Sequence, residues 1–521
     1  MASGPTIEDR FAQFGPSYRY LVTFTGMLGV IAMVLSITIV NVAVPSVMGA
    51  YGIGQDQAQW MATAFIATMT ISQLLNNWLV EAFGQRLTFL LIIVVFFIGT
   101  AIAATSPTYD FIILGRILQG FSAGVSQPLV MVLLFQVFPK NRRGLAMGLY
   151  GMAIMLAPGI GPFIGGLAID NLSGRYIFYI PLPLCAAAFI LGAMLMPGPI
   201  EWRRLPPFDW AGIIVLSIAL INLLSAMADG QRFGWSSDLI LTRTITSLGA
   251  ITIFVALQLK AKSPLLDMTL FTNPAFSAAV LVAIVFGFGN MASSYAIPVF
   301  VQTVGGYSAT AAGLVLIPAG IVLIVLFPVS GRVSDQIPAH YPIAIGLLFF
   351  ALGTALMTTT DTNTAFWTVA IYTVIGRFGM GLIMPPLVSS AMRTLETDQL
   401  NRGSGALNFM RQLGGSIGIN SVVVLISQRT LFHSDSLTTT QTPANPVSRE
   451  FLEAVEHLLN ESGVPAAIHQ HGALHYLGSV IEAQAATYGF QDGFSFISIV
   501  FVCALIPVWI LKRAGQGKTN V

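Results

Sequence analysis

Three arginines lie inside long apolar stretches of this 521-residue sequence, where a charged side chain is costly. They are Arg116, Arg377 and Arg411. A charge at the centre of a bilayer costs at least ~2.5 kcal/mol, so such residues usually face a polar cavity or mark a transport pathway. On our span boundaries, no aspartate, glutamate or histidine lies within these stretches. The residues therefore indicate a pathway through a membrane with no titratable carboxylate inside it.

The composition indicates what kind of element holds these arginines. Hydrophobic residues make up 55% of the chain and charged residues only 9%, whereas a soluble domain is roughly 25% charged. One helical span needs roughly 20 apolar residues, and the hydropathy pattern predicts about fourteen such spans. Most of the 24 lysines and arginines flank these spans on one side. This bias predicts a multi-pass membrane protein with both termini in the cytoplasm.

The two halves of the chain repeat at a spacing of roughly 260 residues, and parallel repeats of this kind are typical of transporters. In such proteins the substrate binds near the bilayer midplane, and one half rocks against the other. The corresponding residues are Gly115-Arg116 with Gly376-Arg377, Arg143-Gly144 with Arg402-Gly403, and Glu81 with Asp335.

The repeat predicts a division of the sequence into domains. A cytoplasmic segment (1–19) precedes a first six-helix bundle (20–196), a two-helix insert (197–263) without counterpart in the repeat, and a second six-helix bundle (264–521). The second bundle contains a hairpin (429–491) that topology places outside the cytoplasm. Ser448 is its candidate N-cap. One apolar helical face follows, formed by Phe451, Leu452, Val455, Leu458 and Leu459.

Several motifs resemble those of one known family. Arg116-x-x-Gln119-Gly120 in the fourth span, APGIGPFIGG (157–166) in the fifth and NFMRQLGGSIG (408–418) in the thirteenth are similar to motifs of the major facilitator superfamily. Together with QWMATAFIATMTISQ, FDWAGI and GYSATAAGLVLIPAG, they resemble the fourteen-span drug/proton antiporters of EmrB and QacA type. The outer hairpin resembles the EmrB branch. The resemblance implies an all-α integral membrane fold of two six-helix bundles plus two inserted helices.

The resemblance also implies a substrate cavity. In the first span the family has an aspartate where this chain has Ser36, a hydroxyl that does not titrate near neutral pH. Hydrogen bonding to the helix backbone is the alternative for the first-span residues. Arg116 either has a structural role or, with Arg411, selects an anionic substrate. The candidate cavity residues are Ser36, Thr38, Asn41, Arg116, Gln119, Met152, Asn408, Arg411 and Gln412.

A second set of residues is predicted to control conformational change. The loop after span two is a degenerate form of the family's gating motif, and the equivalent loop in the second half offers another copy. Prolines and small residues in span five favour bending and close helix packing. Ordinary helix packing and a solvated loop are the alternatives. The candidates are Glu81, Gly84, Arg86, Gly120, Pro158, Gly161, Pro162, Gly165, Gly166, Gly331, Arg332, Asp335 and Arg377.

These features predict a secondary exporter of amphipathic small molecules, either drugs or an endogenous anionic metabolite, in a bacterial inner membrane. The resemblance implies proton antiport and partners in a periplasmic adaptor and an outer-membrane channel. Export without coupling, or coupling through an edge carboxylate such as Glu81, is the alternative. A membrane enzyme or receptor is a remote alternative, because no nucleotide-binding loop and no catalytic group of residues occurs in the spans. We expect no cofactor, no metal site and no nucleic-acid partner.

Overall fold

A computed structural model describes residues 5–171, 174–198, 205–442 and 444–516. Within these ranges every regular element is a helix, and long helices account for most of the chain. Helices in the first half and the insert are α1 (Ile7–Phe14), α2 (Tyr18–Tyr51), α3 (Gln55–Ser72), α4 (Asn76–Ala104), α5 (Tyr109–Val137), α6 (Arg143–Asn171), α7 (Leu182–Leu195), α8 (Trp210–Phe233) and α9 (Asp238–Lys260).

The second half continues the same architecture. Polar N-caps begin several of these helices; the Asn273 side chain, for example, accepts hydrogen bonds from the first backbone N–H groups of the helix that follows. The helices are α10 (Pro274–Thr303), α11 (Ala309–Leu314), α12 (Leu316–Gln336), α13 (His340–Met357), α14 (Phe366–Arg393), α15 (Leu400–Thr439), α16 (Pro446–Glu461), α17 (His469–Cys503) and α18 (Leu505–Gln516).

Twelve helical segments within the described ranges are long and apolar enough to cross a membrane. One of them, Trp60–Ala104, has 45 residues and is interrupted at Gly84, which has φ 74° and ψ 166°. A positive φ is strained for any residue with a Cβ atom, so glycine is favoured where the chain turns between two spans. Helix α6, with 29 residues, is not among the twelve. The count of fourteen spans stays a prediction.

Close glycine contacts repeat between the two halves of the molecule. A Cβ atom on Gly115 of α5 would lie 2.5 Å from the carbonyl oxygen of Gly99 on α4. In the second half, a Cβ atom on Gly353 of α13 would lie 2.5 Å from the backbone nitrogen of Gly376 on α14. Small residues allow membrane helices to pack backbone against backbone. Both helix pairs, α4–α5 and α13–α14, therefore pack through glycines, of which Gly115 and Gly376 correspond in the predicted repeat.

The two helices of the insert lie at the periphery. Only 39% of the most apolar window of α8 and 22% of that of α9 is buried inside the molecule, compared with 83% for α5. Helices α8 and α9 pack mainly on each other, and α8 also contacts α3 and α15. Helix α8 therefore touches both bundles, while most of the direct contact between them is made by α5 and α6 of the first bundle with α12, α14 and α15 of the second.

The first helix of the outer hairpin begins earlier than the sequence-based expectation. It begins at Pro446, and the N-cap is Asn445, whose side chain accepts a hydrogen bond from the backbone N–H of Val447. The prediction of Ser448 as N-cap was wrong, because Pro446 at the first helical position starts the helix earlier. The second helix of the hairpin is α17, which runs without interruption from the hairpin into the last apolar segment.

Candidate functional site

Arg116 lies wholly inside the first bundle and has no exposed surface. Its Nε donates to the carbonyl oxygen of Met61 on α3 at 3.0 Å. Its Nη1 donates to the Ser36 hydroxyl at 3.0 Å, to the Ser36 carbonyl oxygen at 3.2 Å and to Gln119 Oε1 at 2.9 Å. The guanidinium also lies 4.2 Å from the centre of the Phe65 ring. These contacts tie α2, α3 and α5 together, as the structural alternative for Arg116 expects.

The Ser36 hydroxyl lies beside Arg116, in a position that a carboxylate could fill. Ser36 is buried, and its Oγ is also 3.5 Å from Gln119 Oε1. The Gln119 amide in turn donates to Thr100 Oγ1 on α4 at 2.9 Å. Among the described residues, no carboxylate forms an ion pair with Arg116. The buried cation is held by neutral groups and an aromatic ring.

Arg377 is the counterpart of Arg116 in the second bundle and is held in a similar way. Its Nη1 donates to Asn290 Oδ1 at 2.7 Å, and its Nη2 donates to Ser294 Oγ at 2.8 Å. Both partners lie on α10. Met380 Sδ lies 3.3 Å from Nη1. Arg377 also lines a small cleft among α10, α13 and α14, which lies inside the second bundle.

Arg411 is placed differently, because its partners belong to both bundles. Its Nη2 donates to Gln127 Oε1 on α5 at 2.9 Å and to Asn408 Oδ1 on α15 at 3.1 Å. The hydroxyl of Tyr150 on α6 donates to the same Asn408 oxygen at 3.2 Å. We call Arg411, Asn408, Gln127 and Tyr150 the Arg411 cluster. It joins α5 and α6 of the first bundle to α15 of the second.

The other predicted cavity residues lie apart from the Arg411 cluster or at its edge. Thr38 donates to the Leu35 carbonyl oxygen and lies against Gly161, where an added Cβ would overlap its hydroxyl. Met152 is half-buried against the core. Gln412 is buried next to Arg411 in the chain. The side chain of Asn41 lies outside the described residues.

Helices α6 and α12 bring the two bundles into close contact at one end of the molecule. A Cβ atom on Gly144 would overlap the carbonyl oxygen of Gly331. One turn further along α6, a Cβ atom on Gly148 would overlap the carbonyl oxygen of Phe327 and lie 3.0 Å from the Pro328 Cα atom. The gating motif predicts Gly331, and the repeat includes Gly144. Gly148 is one of the small residues of span five that favour close helix packing.

Asp335 holds this contact with three hydrogen-bonded donors. Its carboxylate accepts from the backbone N–H groups of Gly144 at 2.8 Å and Leu145 at 3.1 Å, at the start of α6. It also forms an ion pair with Arg393 of α14 at 2.5 Å. An anion at a helix N-terminus is stabilised by the unpaired N–H groups and the helix dipole. We call Asp335, Gly144, Leu145 and Arg393 the Asp335 cluster.

The corresponding motif of the first half makes no equivalent contact. Glu81 is exposed and forms no ion pair with a described residue. Arg86 donates to the carbonyl oxygen of Ala193 within the first bundle rather than to Glu81. Arg332 is exposed. The structure therefore places one of the two motif copies, that of Asp335, between the bundles.

Arg402, the repeat counterpart of Arg143, pairs with a loop carboxylate instead of Glu81. Its Nη1 donates to Asp267 Oδ2 at 3.1 Å. Burial alone would raise the pKa of Asp267, but hydrogen bonds from Thr269 and Arg402 outweigh it and lower this pKa. The Asp267–Arg402 pair therefore joins the loop before α10 to the start of α15, within the second half.

The predicted span-five residues lie in a single continuous helix, α6. Gly165 packs against Ile39 of α2, where an added Cβ would lie 3.2 Å from the Ile39 carbonyl oxygen. Gly120 on α5 is in similar close contact with the backbone of Phe65 on α3. These glycines pack helices within the first bundle. The side chains of Pro158 and Pro162 and the surroundings of Gly166 lie outside the described residues.

Sequence reasoning did not single out Gln127, Tyr150, Arg393, Asn290 or Ser294. The first two belong to the Arg411 cluster, Arg393 to the Asp335 cluster, and the last two bind Arg377. Four of the five are uncharged polar residues in apolar spans, a signal that a search restricted to charged groups does not find. Each needs a hydrogen-bond partner in a membrane interior.

Two helical bundles that meet around buried polar residues, with one tightly packed end, define a membrane transporter. The chain belongs to the major facilitator superfamily, because the model of that family matches residues 26–419. The predicted all-helical major facilitator fold and the family resemblance are confirmed, while the count of fourteen spans stays a prediction. The protein is a transporter rather than an enzyme.

Individual relatives agree with this assignment. The Multidrug export protein EmrB of Escherichia coli (strain K12) is 27% identical over 505 residues, which cover 95% of this chain and 96% of EmrB. YhcA of Bacillus subtilis (strain 168), an uncharacterized MFS-type transporter, is 28% identical over 496 residues, covering 94% and 92%. The crystal structure of the human organic anion transporter MFSD10 (TETRAN) superimposes with a TM-score of 0.60 at 14% identity, covering 95% and 99%. This last likeness concerns the fold alone.

Proposed function

We propose that the protein exports amphipathic small molecules by alternating access, from the cytoplasm or inner leaflet to the opposite side of a bacterial inner membrane. The observation that carries the proposal is the Arg411 cluster, in which buried polar groups of both bundles meet. Arg411 lies eleven positions after Leu400, the first residue of α15, and Gln127 lies ten positions before Val137, the last residue of α5. At ~1.5 Å per residue, both lie ~15 Å from their helix ends, about half the thickness of a hydrocarbon core. Multidrug exporters among the relatives favour the same direction of transport.

The contact between α6 and α12 favours an outward-facing state for this conformation. The positive-inside bias assigns the Asp335 cluster to the cytoplasmic end, together with both termini. At this end the bundles are in backbone contact at Gly144 and Gly331. Substrate release then occurs at the opposite end, and uptake requires the Asp335 cluster to open.

Proton antiport is our first candidate for the energy source, and export without a proton is the second. The second is favoured by Ser36, because a hydroxyl at 3.0 Å from Arg116 replaces the carboxylate that the family resemblance implies. Glu81, an edge carboxylate, stays a candidate proton site. It is exposed and is not part of the Arg411 cluster.

Dye efflux from proteoliposomes with an imposed pH gradient tests the export function and its coupling together. We expect gradient-dependent export by the wild type if it is an antiporter. A Ser36→Asp variant is expected to increase the gradient dependence, because the new carboxylate lies beside Arg116 Nη1 and forms a proton-sensitive pair. Ser36→Asn, which has the same shape without the charge, is the control. Wild-type export that ignores the gradient, with dependence only in Ser36→Asp, establishes the uncoupled mechanism. Absence of any efflux contradicts the export proposal.

The outer hairpin is proposed to bind a periplasmic adaptor, which would connect the exporter to an outer-membrane channel. Helix α16 packs on α17 through Phe451, whose ring stacks on Tyr476 at 5.9 Å. Several large apolar side chains of the hairpin remain exposed. Exposed apolar residues rimmed by polar ones are typical of protein-binding surfaces. They are Val447, Leu458, Ile468, Leu474 and Tyr476.

Deletion of residues 440–485 is expected to weaken adaptor binding and leave the membrane part folded. Helices α15 and α17 still contact one another below the hairpin, where Arg429 pairs with Asp492 at 2.5 Å. Co-purification of the adaptor measures binding, and size-exclusion chromatography measures folding. Leu458→Glu combined with Leu474→Glu keeps the hairpin and serves as the matched variant. Undiminished co-purification of the adaptor with the deletion variant contradicts this partner assignment.

A further inference from the structure

We propose that Arg411 recognises a carboxylate on the exported molecule, and that carboxylate binding releases the contact between Arg411 and Gln127 that joins the two bundles. This inference rests on the proposed export function and adds a substrate class, an amphipathic organic anion. It also assigns the anion-binding role to one of the three buried arginines.

The first step is the position of Arg411 relative to the other two arginines. Arg116 is enclosed by the first bundle and has no exposed surface. Arg377 is bound by two residues of α10 and lies inside the second bundle. Arg411 and Arg377 are about equally buried, with 7% and 6% of their surfaces exposed. Of the three arginines, Arg411 alone contacts a described residue of the opposite bundle, Gln127. Arg411 is therefore the one that a molecule bound between the bundles would meet.

The second step is the unused hydrogen-bonding capacity of its guanidinium group. Both hydrogen bonds of Arg411 to described side chains use Nη2. Its Nη1 and Nε donate to no described residue. A guanidinium group binds a carboxylate best through two parallel N–H donors, supplied by Nε with Nη2 or by Nη1 with Nη2. Either pair combines an unused donor of Arg411 with the Nη2 that Gln127 and Asn408 now share.

The third step is the missing counter-charge. The ion pairs that arginines make with carboxylates among the described residues lie elsewhere, at Asp229, Asp267, Asp335 and Asp492. The Arg411 partners, Gln127 and Asn408, are neutral amides. A buried cation without a counter-ion gains strongly from an anionic ligand, because few waters screen the interaction.

The methionines beside these amides belong to the buried core. Asn408 Nδ2 lies 3.2 Å from Met131 Sδ, and Gln127 Nε2 lies 3.8 Å from Met69 Sδ. The two methionines have 0% and 2% of their surfaces exposed. Methionine side chains are flexible and polarisable, so this packing adjusts when Gln127 moves. The apolar part of the ligand follows from the proposed export of amphipathic molecules.

The final step connects binding with movement. Nη2 is shared between Gln127 Oε1 and Asn408 Oδ1, and an incoming carboxylate competes with these weaker neutral acceptors. Loss of the Gln127 contact removes a direct hydrogen bond between α5 and α15. A ligand shifts a conformational equilibrium only through its differential affinity for the two states. Here that difference arises because the carboxylate binds more strongly where Gln127 has withdrawn.

Matched probes that differ in charge test the substrate class. Tritiated 1-naphthaleneacetate and its neutral amide, 1-naphthaleneacetamide, are bound to the full chain in lipid nanodiscs at pH 7.5. We expect the wild type to prefer the carboxylate by about tenfold or more, since hydrogen bonds to a charged acceptor are stronger than those to a neutral one. Arg411→Gln is expected to reduce the preference to about onefold, and Arg411→Lys to keep part of it. Equal binding of the two probes by the wild type, or an unchanged preference in Arg411→Gln, overturns the inference.

Arg377→Gln is the matched control, because it also removes a buried arginine but within one bundle. It is expected to retain the preference for the carboxylate. Gln127→Leu keeps Arg411 and removes its competing acceptor, so we expect the carboxylate to bind more tightly while binding of the amide is unchanged. This variant keeps the test decisive even if Arg411→Gln does not fold. Unchanged carboxylate affinity in Gln127→Leu overturns the release step.

Counterflow of the same two probes in proteoliposomes separates this inference from the export function. Transport of both probes without charge preference supports export and overturns the anion site. Carboxylate binding that depends on Arg411 without any transport supports the site and overturns export. Transport that prefers the carboxylate and loses this preference in Arg411→Gln supports both.

Discussion

Replacement of Gly148 by valine is expected to reduce export by about tenfold or more while both bundles remain folded. A Cβ atom at this position would overlap the carbonyl oxygen of Phe327, which belongs to the backbone of the opposite bundle and cannot rotate away. Overpacking of this kind costs ~1–3 kcal/mol, and ~1.4 kcal/mol is a tenfold change in an equilibrium. Helices α6 and α12 then separate, so the Asp335 end cannot close and alternating access stops.

Gly320→Val provides the matched control for this prediction. Gly320 is a helical glycine of α12 with open space around its Cβ position, so export is expected to stay near the wild-type level. Spin labels at Asn141→Cys and Gln336→Cys, both at exposed positions, report the distance between the bundles once Cys185 and Cys503 are replaced. We expect longer distances in Gly148→Val than in the wild type. Wild-type distances together with wild-type efflux would refute the role of this contact.

Asp335→Asn is expected to shift the same equilibrium toward opening by roughly tenfold, as the loss of charge-assisted hydrogen bonds implies. The carboxylate accepts two backbone N–H groups of α6 and pairs with Arg393. Asparagine keeps the shape and one acceptor but loses the charge. Efflux from proteoliposomes and the distance between the labels at positions 141 and 336 measure the effect.

Glu81, the repeat counterpart of Asp335, supplies the control for this prediction. Glu81→Gln is expected to leave the distances unchanged, because Glu81 is exposed and forms no ion pair with a described residue. Arg393→Gln should reproduce only part of the Asp335→Asn effect, since Arg393 is 38% exposed and solvent screens its charge. Equal effects of Glu81→Gln and Asp335→Asn would contradict the assignment of the contact to the second motif copy.

The two copies of the gating motif, at Glu81 and Asp335, show what sequence comparison predicts and what it does not. Glu81 and Asp335 are equivalent in the repeat, and the sequence offers both as gating residues. They differ because Asp335 faces the start of α6 across the interface and pairs with Arg393 of its own bundle, whereas Arg402 pairs with Asp267 rather than Glu81. Partner choice depends on how the bundles dock, and a local motif does not encode it.

The hairpin shows a similar limit at the level of a single helix. Its amphipathic face was predictable, because period-3.6 patterning is a local property. Its exact start was not, since Asn445 and Pro446 compete with Ser448 as helix-start signals. Helix α17 continues from the hairpin into the last apolar segment. This continuity depends on packing against α15, which stabilises the polar first part of α17 as a helix.

The membrane fold, the family and the three arginines inside apolar spans are predictable from the sequence alone. These properties follow from local hydropathy and from motifs that each occupy one helix, so they need no knowledge of packing. Which of the three arginines joins the bundles becomes clear only from the packing of the helices. Arg116 and Arg377 face neighbours of their own bundle, while Arg411 reaches Gln127, which is 284 positions away in the chain. That distinction depends on helix rotation and bundle docking, which arise from contacts between segments remote in sequence.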